Sequence, residues 1–179
     1  IQNKAIQLSL LLSFPASFGL IIASEEIVNG LFGYGSFSPQ DVKMTAEALK
    51  YFGYGVIAFS LVKILSNFFF ARDNTKTPFY ISSFIVFLNV VISLSFFDQI
   101  GFLIIPIATS ISTWVGVFIF IYLLKKRNYI HFKKQLFSSA FKTFISTLIM
   151  SFLLMLTLEK YSSYLSYSYT YKLSLIHIS

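Results

Sequence analysis

Ser60, Lys63 and Asn67 recur at i, i+3 and i+7 inside an apolar run, a spacing that puts them on one face of a helix. An ammonium beside an amide and a hydroxyl can hold an anion. A charge inside a membrane segment points to a cavity or a partner; the other reading is a lysine that snorkels to the surface beside groups that glue helices together. Both stay open from these residues alone. Nine residues beyond Lys63, about 13 Å further along a helix, the polar run Arg72-Asp73-Asn74-Thr75-Lys76-Thr77-Pro78 interrupts the apolar sequence. It is too short for a soluble domain, so two helices must turn back on each other there.

No other constellation carries chemistry. His131 and His177 stand isolated, no His/Asp/Glu set has metal-ligand spacing, and there are no cysteines, which leaves no thiolate site or disulfide. The serines lack the glycine-flanked pattern of a nucleophile elbow. Gly33 and Gly35 lack the third glycine and preceding strand of a phosphate cradle. The expectation is a protein with no catalytic residues, no metal and no cofactor.

The elements that must position Lys63 and the polar turn are membrane helices. The chain is 56% hydrophobic and 12% charged, with a mean hydropathy of +0.74, against roughly 25% charged residues in soluble domains. A span needs about 20 apolar residues, and five stretches qualify: 6–23, 49–71, 79–97, 101–124 and 136–158. The fold class is therefore all-α, a polytopic membrane bundle of about five helices. The net charge of +7 sits beside the ends of these spans, which favours membrane lipid headgroups over nucleic acid as partner. The first residue is Ile and no basic n-region precedes the first span, so a signal peptide is not expected and upstream sequence is.

Charge sets the orientation. The connection 125–134 holds five Lys or Arg and no acid, the polar turn holds Arg72 and Lys76, and the connection near Asp98 holds no base. Basic loops face the cytoplasm. The chain thus enters from the inside at Lys4 and leaves outside near Glu159 and Lys160.

The long first connection is rich in Gly and aromatics, and Glu25 and Glu26 fall at headgroup level just after the first span. Ser38-Pro39-Gln40-Asp41 has the order of a helix start, so a short surface helix should run into the second span. Pro15 and Pro106 should kink or open their spans. Asn89 with Ser93, and Thr109 with Thr113, form i,i+4 pairs suited to helix packing. The Tyr/Ser-rich tail 159–179 reads as an outer-surface loop whose last residues are a truncated sixth span or sequence foreign to the natural protein.

Ala71-Arg72-Asp73-Asn74-Thr75-Lys76-Thr77-Pro78, preceded by Val62-Lys63-Ile64-Leu65, resembles the signature of the MurJ/MviN lipid II flippases. These form part of the multidrug/oligosaccharidyl-lipid/polysaccharide exporter superfamily. Leu31 to Ser38 with Asp41, and Gly101-Phe102-Leu103 followed by Ala108-Thr109-Ser110 and Trp114, are similar to two further family blocks. The likeness covers roughly residues 5 to 158. It implies a two-lobed transporter of the bacterial inner membrane, of which 1–158 would be most of the second lobe, from the ninth span to the thirteenth. The partners it implies are a lipid-linked anionic glycan precursor, undecaprenyl-pyrophosphate-linked, and the N-terminal lobe of the same protein, where the family's essential cavity arginines lie. Lys63, with Ser60 and Asn67, would then be cavity groups. Arg72, Asp73, Thr75, Lys76, Thr77 and Pro78 would form the inner hinge. A flippase of another polyprenyl-linked polysaccharide, a drug exporter, and a non-transporting scaffold subunit remain alternatives.

Overall fold

The computed structural model describes residues 2–33, 35–130 and 134–176, with the stretch beyond 160 described as backbone only. Tyr34, His131, Lys133 and His177 lie outside the described residues. Six α-helices follow one another: α1 Gln2–Ile22, α2 Ser24–Phe32, α3 Pro39–Phe70, α4 Lys76–Ile100, α5 Ile104–Lys126 and α6 Lys134–Ile176.

Four uninterrupted helical segments are long and apolar enough to cross a membrane, and the third, Lys76–Lys126, has 51 residues. A straight helix of that length would be about 75 Å long. It is instead folded back on itself at Gly101, where φ is +70° and ψ −151°, a region open essentially to glycine alone. A 3-10 turn, Gly101–Leu103, completes the reversal. The Asn89 amide then donates to the Thr109 hydroxyl at 2.7 Å, and the Ile85 side chain fills the space that a Cβ at Gly116 would need. That segment is two antiparallel helices, so five helices have the length and composition to cross a bilayer: α1, α3, α4, α5 and α6.

α3 starts where the sequence places a start. The Ser38 hydroxyl accepts from the Asp41 backbone N–H at 3.2 Å, and the Asp41 carboxylate accepts from the Ser38 N–H at 2.9 Å. This capping box satisfies two N-terminal donors. At 32 residues, α3 is about 48 Å long, well beyond a hydrocarbon core of about 30 Å. Its first turns form an outer projection against which α2 docks, with Val28 of α2 against Val42 and Ala46. α2 differs from the sequence expectation, since residues 29–32 read as turn. Its single apolar face, Ile27, Val28 and Leu31 against Glu25 and Glu26, is too short to stand out beside the spans.

The main core lies at the end of the bundle that carries the two basic connections. Ile6, Leu65, Phe68, Phe69, Ile81, Val117, Phe120 and Leu124 meet there. α1 packs on α3 and α6, α3 on α5, and α5 on α4, while α3 and α4 barely touch. Small polar groups stitch these seams. The Ser9 and Ser60 hydroxyls share a hydrogen bond of 2.6 Å, Ser17 donates to the Gly53 carbonyl, Ser110 to that of Tyr51, and the Trp114 indole to that of Tyr54. In lipid such contacts and close packing replace the hydrophobic drive between helices.

Two further expectations are corrected. Pro106 is the third residue of α5, in the first turn, where a missing N–H breaks no bond, so it begins the helix without kinking it. The tail from Tyr161 is not a loop: α6 continues as helix to Ile176.

Candidate functional site

The polar turn is built by two local devices. At the end of α3 the Asn74 N–H bonds the Phe69 carbonyl and the Asp73 N–H that of Phe70, with Asp73 in the left-handed region at φ +54°. This is a Schellman closure, which satisfies the last carbonyls of a helix. The Asn74 side chain then accepts from the Thr77 N–H at 3.1 Å and caps α4. Thr75 has helical dihedrals and makes no side-chain cap. Pro78 occupies the first turn of α4 and is buried.

Arg72 is spent on structure. Its Nη1 donates to the Phe68 carbonyl at 2.8 Å and its Nη2 to the Tyr129 carbonyl at 2.9 Å. Its guanidinium also lies 4.4 Å from the centre of the Tyr129 ring, within cation–π range. Sequence reasoning missed Tyr129, because nothing in a linear chain pairs residues 57 positions apart. The contact holds both basic connections at one end of the bundle, as the charge-derived orientation requires.

Beside the turn, α3 and α4 diverge and leave an open groove of about 800 Å³. Lys63 and Asn67 line it from α3; Thr75, Lys76 and Ser82 line it from the start of α4. Its described lining contains no Asp or Glu, and neither lysine has an ion-pair partner among the described residues. Phe70, Phe79 and Tyr80 form the rim, the last two 67% and 69% exposed.

The expected stripe is therefore divided. Lys63 and Asn67 share the groove with Lys76, Thr75 and Pro78, whereas Ser60 is turned into the α1–α3 seam, on Ser9. Arg72, Asp73 and Thr77 shape the turn without lining the groove. Lys76 is the addition: its place in the sequence marks it as a loop residue, and only the turn of the chain carries it beside Lys63.

A second hollow of about 620 Å³ lies in the opposite half of the bundle, between α1, α3, α5 and α6. Its lining, including Phe18, Tyr54, Trp114 and Phe152, carries no charge. The arrangement is thus an uncharged hollow and a cationic groove. The groove is suited to holding an anion.

Residues 1–175 match the family described as lipid II flippase MurJ. The chain belongs to the MurJ family. The probable lipid II flippase MurJ of Rickettsia prowazekii (strain Madrid E) is 36% identical over 169 residues, covering 94% of this chain and 33% of that protein. The MurJ relative of Thermotoga maritima is 35% identical over 132 residues, 74% of this chain and 27% of the relative. A solved structure of lipid II flippase MurJ, in an inward closed conformation, superposes with a TM-score of 0.78 at 26% identity over 87% of this chain and 32% of its own. The chain spans about a third of the length of the MurJ relatives it matches.

Proposed function

We propose that this chain is the larger part of the second lobe of a flippase, from its ninth to its thirteenth span. The whole protein would carry the undecaprenyl-pyrophosphate-linked peptidoglycan precursor outward across the bacterial inner membrane. The match to the MurJ family along residues 1–175 is the observation that carries this reading. The cationic groove supports it, because a lipid-linked pyrophosphate arriving from the cytoplasmic side needs positive charge at that level. Lys63 and Asn67 serve as groups on the substrate's route, and Arg72 to Pro78 as the inner hinge. Transport proceeds by rocking of this lobe against the N-terminal lobe, with no covalent chemistry.

Complementation tests the reading. In cells depleted of their own flippase, the full-length protein is expected to restore growth, and Lys63→Ala to restore it poorly, with Lys63→Arg closer to wild type. Full growth with Lys63→Ala would remove Lys63 from the route. Failure of the unaltered, well-expressed protein to restore growth would remove the lipid II assignment.

A further inference from the structure

Lys76 enters the inner groove from the turn, and its presence there goes beyond the single cavity lysine. We propose that Lys63 and Lys76 form a two-cation clamp for one phosphate-bearing lipid headgroup of the inner leaflet, a loading site at the mouth of the groove. The proposal rests on the transport reading only for its place in the cycle, not for the binding itself.

The groove offers the chemistry such a headgroup needs. Two lysines face it with no described acid in the lining, so among the described residues nothing neutralises its two positive charges. Uncompensated ammonium groups below the membrane surface are unfavourable, and an anion between them removes that penalty. Asn67, Thr75 and Ser82 supply an amide and two hydroxyls as neutral donors. The N-terminus of α4, a helix of 25 residues beginning at Lys76, adds the positive end of its dipole.

The aromatic rim argues that the anion is carried on a lipid chain. Phe70, Phe79 and Tyr80 line the groove and stay exposed, and the last two continue into the exposed apolar side of α4, with Val86, Phe87 and Leu94. A headgroup between the lysines would lay its first carbons on that surface. Lys63 stands on α3 and Lys76 opens α4 after the turn, and both line this one groove.

Two lipids carry this chemistry, the diphosphate-linked substrate and the ordinary anionic phospholipids of the leaflet. The test uses the full-length protein in nanodiscs and measures binding of farnesyl diphosphate, of inorganic phosphate, and of phosphatidylglycerol against a phosphatidylcholine background. The variants are Lys63→Gln, Lys76→Gln, the double variant and the Lys63→Arg/Lys76→Arg double. Each neutralised lysine is expected to weaken farnesyl diphosphate about fivefold, from ~1 kcal/mol per basic residue near the surface, and the arginine double to retain binding. Inorganic phosphate should bind far more weakly, since it cannot use the rim.

Losses seen with phosphatidylglycerol alone would support the clamp while taking it off the substrate's route, which overturns the transport role of Lys63 but not the site. Unchanged affinity for both lipids in a folded double glutamine variant would overturn the clamp and leave the family assignment untouched. Equal binding of inorganic phosphate and farnesyl diphosphate would overturn the lipid-borne part of the proposal.

Discussion

The α3–α4 turn and the α5–α6 turn end their helices in the same way and then part company. In each, a residue five beyond a helical carbonyl bonds back to it, Asn74 to Phe69 and Tyr129 to Leu124. In each, a non-glycine residue takes the left-handed conformation, Asp73 at φ +54° and Asn128 at φ +52°, and an arginine precedes it. The two arginines then cross over. Arg72 lies on the Tyr129 ring at 4.4 Å, Arg127 over the Phe69 ring at 5.8 Å, and the two rings meet edge to face at 5.8 Å. Yet only Arg72 donates two hydrogen bonds to backbone carbonyls. Its turn is also the one that opens the cationic groove, while the other supplies the wall that braces it. Identical closures can thus open a groove in one place and give support in another, depending on what the next helix does.

Removing the ring that both turns share should break the comparison most severely. Phe69 is fully buried and touches Phe120 as well as Tyr129. Phe69→Ala should cost about 3 kcal/mol, read as a lower midpoint in thermal unfolding of the full-length protein in detergent. The outer turn provides the contrast, because it depends on glycine where the inner turns do not. Gly101→Ala should cost about 2 kcal/mol from backbone strain, visible in the same unfolding experiment as a destabilisation that no compensating side chain relieves.

The arginines come next. Arg72→Ala should cost about 1–2 kcal/mol through two charge-assisted hydrogen bonds at an exposed site, and Arg127→Ala only about 0.5 kcal/mol through a weak cation–π contact. Equal losses from the two would mean that the clasp is symmetric in energy and would remove the special place given to Arg72. The smallest effects are stabilising. Asp73→Gly and Asn128→Gly should each gain a few tenths of a kcal/mol by relieving the left-handed conformation, with the larger gain at Asp73, because Asn accepts that region more readily. A loss at Asp73 would mean that its carboxylate does more than close the turn.

Much of the scaffold could be read from the chain. Apolar runs of span length announced the membrane helices, and the basic connections after the second and fourth spans, against a mixed first and a base-free third, gave an expected direction. Ser38, Pro39 and Asp41 announced the start of α3. These features are local, so a linear reading finds them. α2 escaped because its amphipathic face is only nine residues long and borders a glycine-rich stretch. The helical continuation beyond Tyr161 escaped because a Ser/Tyr composition resembles an interfacial loop. In the site, Lys63 with Asn67 was legible as a helical pair, whereas Ser60 was assigned to their group on angle alone. Its hydroxyl went to Ser9 because α1 happens to lie against that edge of α3.

By itself, the sequence determined the apolar helices of span length, an expected orientation, the family resemblance and the presence of a charged residue within the second of them. All of these depend on composition and short-range spacing. Only the tertiary structure decided that Lys76 joins Lys63 in one groove, that Arg72 is tied to Tyr129, and that the third apolar segment folds back at Gly101 into two helices. Those facts depend on where distant parts of the chain meet. In a bilayer that is set by seams of small and hydroxyl-bearing residues, whose close fit becomes visible only when two helices are side by side.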